Sequence, residues 1–215
     1  MTDDSVAAKG RPKGDKRERT RRALVAAAAE LIAEKGFDRA SLDEICKRAG
    51  MTRGAFHGNF KSRDELFLAI MESQGGAVEA DFRPGAPLRA QMRILGLAVA
   101  ASARARLPRA AEAAAVQLHL LTRPDLRRQV AADTEANWAR MAEGFLRLLP
   151  PGSLPMPADR FVKLIDALVT GLTYSFFQNP EAFTDEDFAA AFEALAGPPP
   201  AGAWPRGVSM TPGRW

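Results

Sequence analysis

Two short helices, each with its own start signal and parted by a glycine, constrain this 215-residue chain more than any other feature. In SLDEICKRAG (41–50), Ser41 followed by Glu44 forms a capping box, which marks a helix start. That helix runs only to about Arg48, because Ala49-Gly50 breaks it, and Leu42, Ile45 and Ala49 form its buried side. Thr52 then caps a second short helix, Arg53 to about His57, anchored by Phe56 and Phe60. Upstream, a helix is expected from about Lys16 to Glu34. Its Leu24, Ala28, Leu31 and Ile32 recur with a 3.6-residue period, and Gly36 ends it. Downstream, Ser62 caps a longer helix with Asp64 and Glu65 in its first turn, where negative charge suits the helix dipole.

A long helix followed by two short capped helices around a tight turn is a helix-turn-helix. In such a unit the first short helix braces on the phosphate backbone and the second enters the major groove, where base edges are distinguishable. The second helix must then be short, small-faced and polar outward, as Thr52, Arg53, Gly54 and Ala55 are. Arg53 has the reach and the fork for guanine O6 and N7, and Gly54 permits close approach of the backbone. Lys47, Arg48, Lys61 and Arg63 surround it as phosphate clamps, and Ser41 and Asn59 are also expected to face DNA. Charge supports this. Residues 1–63 hold 15 Lys/Arg against 9 Asp/Glu, while the rest of the chain is slightly acidic. A generic three-helix packing unit with a solvated basic face is the other reading of the same residues.

The rest of the chain is also expected to be helical. Alanine occupies about forty positions and Ile, Val and Thr together about twenty-three, a balance that favours helix over strand. Helices are expected from Pro87 to about Arg106, Pro108 to about Leu121, Pro124 to about Leu149, Ala158 to Gln178, and after the Thr184-Asp185 cap. The fold class is therefore all-α. The expected organisation is a flexible basic arm (1–15), a three-helix DNA-binding domain (16–63), a helical domain (64–197) and a Pro/Gly-rich disordered tail (198–215). One cysteine, Cys46, and two histidines, His57 and His119, exclude a disulfide framework and offer no metal cluster. No apolar run approaches a membrane span, and the N-terminus lacks a signal-peptide core, so a cytoplasmic location with no membrane partner is expected.

The stretch GFDRASLDEICKRAGMTRGAFHGNFKSRDELF resembles the DNA-binding domain of TetR-type (TetR/AcrR) transcriptional regulators. Gly36, Phe37, Ser41, Ile45, Ala49, Gly50, Gly54, Phe56, Phe60, Ser62 and Leu66 fall on that family's pattern over about 45 residues. The resemblance implies that Arg53, Gly54 and Ala55 stand at base-contacting positions, with Thr52 as the helix cap near phosphate. It places Arg63 where the family has a phosphate-binding Lys, and His57 where it has a Tyr whose hydroxyl meets phosphate. Gly58 replaces a larger side chain and Cys46 a usual alanine.

The resemblance further implies a homodimer, formed by helices near 158–178 and 185–196, that reads a palindromic operator, with an inducer cavity in the second domain. The sequence agrees in part: helix 158–178 is apolar on several sides, and Ala189, Ala190, Ala191 and Ala194 allow close helix approach. Candidate effector-lining residues are Leu118, His119, Asn137, Trp138, Met141, Phe145, Thr170 and Tyr174. Each of these can equally be ordinary core or surface. The expected function is a transcriptional repressor released from its operator by a small molecule, with no cofactor and no metal. The alternative is a constitutive or architectural DNA-binding protein without an inducer. An enzyme would need a nucleophile–base pair, a metal cluster or a Gly-rich phosphate loop, and none is present in the sequence.

Overall fold

A computed structural model describes residues 13–74 and 78–197, with side chains described for 16–73 and 78–197. The expected tail (198–215) and most of the expected arm, including Lys9 and Arg11, lie outside the described residues. Where the arm is described, at 13–15, it is already helical.

Nine α-helices and no strands occur among the described residues. They are α1 Lys13–Lys35, α2 Leu42–Arg48, α3 Arg53–His57, α4 Arg63–Gln74 and α5 Leu88–Arg106, then α6 Ala110–Thr122, α7 Pro124–Leu148, α8 Ala158–Gln178 and α9 Asp185–Ala194. Pro108 sits in a 3₁₀ turn, Leu107–Arg109, rather than opening α6 as expected. This turn keeps the ring, which lacks an N–H, out of the α-helical ladder.

Contacts divide the described residues into two compact units: 13–74 with 108–131, and 78–107 with 132–197. The grouping differs from a cut at residue 63, because α4 and α6 pack with the first three helices. In this first unit Leu24, Ala28, Ile32, Ile45, Phe56, Phe60, Phe67 and Ile70 form a closed core, to which α6 adds Val116 and the start of α7 adds Leu126. The second unit packs α5 against α8 and α9 around Met92, Val99, Phe161, Ile165, Phe176, Phe188 and Phe192.

Two devices fix this second core. Gly96 lets α5 approach α9 closely: a Cβ there would lie 2.7 Å from Phe188 O and 2.8 Å from Ala189 Cα. Gln91, fully buried, closes both of its amide bonds on the Arg83 backbone, its Oε1 accepting from Arg83 N at 3.0 Å. No described helix is long and apolar enough to cross a membrane.

Candidate nucleic-acid interface

The α2–turn–α3 region is built by local hydrogen bonds. Glu44 N donates to Ser41 Oγ (3.3 Å), and the Glu44 carboxylate accepts from Ser41 N (3.0 Å) and Ser41 Oγ (2.7 Å), so the capping box is complete. Lys35 at the end of α1 also binds Glu44, and Lys35 and Ser41 together hold the Glu44 pKa down to about 2. At the turn, Gly50 has φ 66°, a left-handed conformation that a side chain would strain. Met51 N donates back to Cys46 O at 2.8 Å, closing the turn. Thr52 Oγ1 then accepts from Ala55 N at 3.1 Å and starts α3. Phe56 and Phe60 pin the helix from below, each almost fully buried. Cys46 is buried too, and desolvation pushes its thiol pKa up, away from the reactive thiolate.

What remains outward on α3 is Thr52, Arg53, Gly54 and His57, all exposed, with Ala55 half-buried. Gly54 has no internal reason to lack a side chain: a Cβ there would meet only Thr52 Oγ1, at an ordinary 3.7 Å. Lys47 and Lys61 are exposed on either side, as is Ser41. The expected set is thus brought to one region, but four members, Arg48, Arg53, Asn59 and Arg63, also bond within the fold. Arg48 forms a fork with Glu34 of α1 (Nη2 to Oε2, 2.9 Å). Asn59 donates its Nδ2 to Ala55 O at 2.7 Å and keeps its Oδ1 buried, so it braces the end of α3. Arg63 donates Nη2 to Phe37 O (2.6 Å) and Ala40 O (2.8 Å), with its guanidinium 4.6 Å from the Phe37 ring centre. The loop joining α1 to α2 offers these two carbonyls unpaired, and Arg63 satisfies them.

Sequence reasoning missed the acids that hold two of these residues, Arg48 and Arg53. Asp43 of α2 takes the Arg53 guanidinium side-on, with Nη2 to Oδ2 at 2.5 Å. The hydrogen bonds from Arg53 hold the Asp43 carboxyl below its usual range, and those from Arg48 do the same for Glu34. Both pairs join different helices, so no local spacing signals them.

The candidate effector residues are distributed over both units. Leu118, 64% exposed, and His119 lie on α6 in the first unit. His119 is buried, its ring stacked on Phe37 (centres 3.7 Å apart) and edge-on to Phe67 (4.7 Å), with Nε2 unpaired. The other six lie on α7 and α8 in the second unit. Asn137 and Thr170 are exposed. Trp138 donates Nε1–H to Asp166 Oδ2 at 3.2 Å, and Met141 and Phe145 join the core. Tyr174 is half-buried and packs edge-on to Phe177. A cavity of about 230 Å³ lies among the end of α7, loop 149–157 and the start of α8, and of the eight candidates Phe145 alone lines it.

Residues 24–70, which span these helices, match the family of bacterial regulatory proteins named tetR. The chain is 37% identical over 67 residues to the HTH-type transcriptional regulator SrpR of Pseudomonas putida, a match covering 31% of this chain and 32% of that protein. It is 39% identical over 70 residues to the A-factor receptor protein of Streptomyces griseus, covering 33% of this chain and 25% of the receptor. The AcrR regulator of Shigella flexneri is 37% identical over 84 residues, covering 36% of this chain and 39% of AcrR. The matched stretch is therefore well under half of each relative's length.

Solved structures extend the likeness to most of the chain. A transcriptional regulator from Rhodococcus sp. Rha1 superposes with a TM-score of 0.60 at 22% identity, covering 82% of this chain and 94% of that one. NalD of Pseudomonas aeruginosa, the secondary repressor of the MexAB-OprM multidrug efflux pump, gives 0.56 at 22% identity, covering 84% and 95%. Residues 24–70 thus match the tetR family of bacterial regulatory proteins, on a chain whose described residues share the all-helical fold of these solved transcriptional regulators.

Proposed function

We propose that the chain is a sequence-specific DNA-binding transcriptional regulator, acting as a homodimer on a palindromic operator and released from it by a small molecule. The observation that carries the first part is α3. Its outward face holds Thr52, Arg53, Gly54 and His57 around a glycine that internal packing does not require. A missing side chain with open space above it suits the close approach of a duplex. Thr52, Lys47 and Lys61 supply phosphate donors around that face, and Arg53 and Ala55 face base edges. Arg48 and Arg63 serve this reading as braces of α2 and α4 that can share their remaining N–H groups with phosphate.

The dimer is proposed through α8 and α9. Leu164 is 43% exposed on α8, with Ala167, Thr170 and Gly171 exposed on the following turns and Ala190 and Ala194 exposed on α9. A two-fold pair of reading heads about one helical turn apart recognises a palindrome. Effector release is supported by the names of relatives such as the A-factor receptor protein and by the cavity beside Phe145. A ligand acts on the operator only through unequal affinity for the DNA-bound and free conformations.

The test is titration of the full chain with duplexes enriched from a random pool, followed by a ligand screen on the complex. Preference for an enriched palindrome supports the regulator. Equal binding to all duplexes, unchanged by every ligand, favours an architectural protein instead.

A further inference from the structure

Asp43 and Arg53 meet across the α2–α3 turn in a specific way. Asp43 is the second residue of α2 and Arg53 the first of α3. The Asp43 oxygens accept from Arg53 Nε and Nη2, which form one edge of the guanidinium. A guanidinium carries five N–H donors in one plane. The side-on pair uses two of them. It leaves the Nη1–Nη2 end of the fork, with an outward hydrogen on each nitrogen, in the plane set by the carboxylate. Both side chains are 64% exposed, so the pair is on the surface of the motif, and Gly54, the next residue in sequence, is exposed as well. The carboxylate itself is well anchored. It sits in the first turn of α2, where the helix dipole favours a negative charge, on a helix held by its capping box and by the Lys35–Glu44 and Arg48–Glu34 pairs.

We propose that Asp43 is a positioning residue for base reading: it aims the free end of the Arg53 guanidinium at O6 and N7 of one guanine in each half of the DNA site. This rests on the reading of α3 as the recognition helix. Two physical effects support it. An unpaired arginine loses rotamer freedom when it is fixed, and the pair incurs part of that loss before DNA arrives. The carboxylate also repels phosphate, so it keeps Arg53 from collapsing onto the backbone and losing its sequence information. The opposite role, Asp43 as a competitor that DNA must displace, gives the opposite sign: removing it would tighten binding to every duplex with no change in base preference.

The experiment is selection from a pool of duplexes with a randomised core, using the wild type, Asp43→Asn, Asp43→Ala and Arg53→Ala, each checked for folding by thermal melting. Asp43→Asn keeps the side-chain size and removes the charge, so the test stands even where Asp43→Ala unfolds. The wild type is expected to enrich a motif in which one guanine per half-site is lost with Arg53→Ala. Both Asp43 variants should weaken preference for that same guanine about tenfold, leave the other positions intact, and bind random duplex at least as tightly as the wild type. A guanine preference unchanged in both Asp43 variants overturns the inference alone, as does an enriched motif with no guanine sensitive to Arg53→Ala. If the wild type enriches no motif at all, the recognition-helix reading falls and takes this inference with it.

Discussion

Arg53 and Gly54 divide the work of the outward face at the scale of single residues. Arg53→Ala is expected to weaken binding to an enriched duplex by about 1–3 kcal/mol while changing random-duplex binding far less, as read by fluorescence anisotropy on both. Equal losses on the two would make Arg53 a phosphate contact. Gly54→Ala should leave the melting temperature unchanged or higher, because alanine favours helix and the added Cβ meets only Thr52 Oγ1 at 3.7 Å. It should nevertheless weaken DNA binding. His119 provides a pH signature. Burial lowers its pKa from the ordinary 6.5, Arg123 and Arg63 add to the effect, and Asp38 and Asp64 oppose it. The unfolded chain therefore binds a proton that the folded chain refuses. Stability should fall as pH drops below about 6.5 and level off below the folded value. His119→Phe keeps an aromatic ring against Phe37 and Phe67 and should flatten that part of the stability–pH curve in thermal melts.

Element starts and stops were legible in the sequence because their signals are local. The Ser41–Glu44 and Thr52–Ala55 bonds span three residues each, and Gly50 declares its own turn. Partners between elements were not legible. Nothing near Arg53 in sequence points to Asp43, ten residues away, and nothing near Arg63 points to the Phe37 and Ala40 carbonyls. His119 read as a cavity residue because helical spacing alone cannot say which neighbours face it, and tertiary packing set it against Phe37 and Phe67 instead. Gly96 is the same case in the second unit. Within the sequence it is an isolated glycine in a helix, whereas in the fold it is the contact point of α5 with α9. Gly96→Ala should therefore destabilise the protein by about 1–3 kcal/mol, despite alanine's better helix propensity, as read from chemical denaturation. A neutral outcome would mean that the two helices part easily. The alanines of α9 divide likewise: Ala189 is buried on α5, and Ala190 and Ala194 remain outward.

The whole molecule combines a basic reading head with a helical second unit, and the proposed activity needs two copies. Leu164→Glu, on the exposed side of α8, should turn a dimer into a monomer in analytical ultracentrifugation and remove tight binding to a two-half-site duplex. A wild type that sediments as a monomer at micromolar concentration would contradict the dimer. Over most of the chain the fold matches known regulators at about a fifth identity, so the architecture is shared by quite different sequences. The most direct test of DNA-binding regulation is titration of the purified chain against duplex from the region upstream of its own gene. A random duplex of equal length runs alongside over a salt series. Specific binding at least about a thousandfold tighter than random, with affinity falling steeply as salt rises, is the expected result. Absence of binding to either duplex at low salt would contradict the assignment of α3 as a recognition helix.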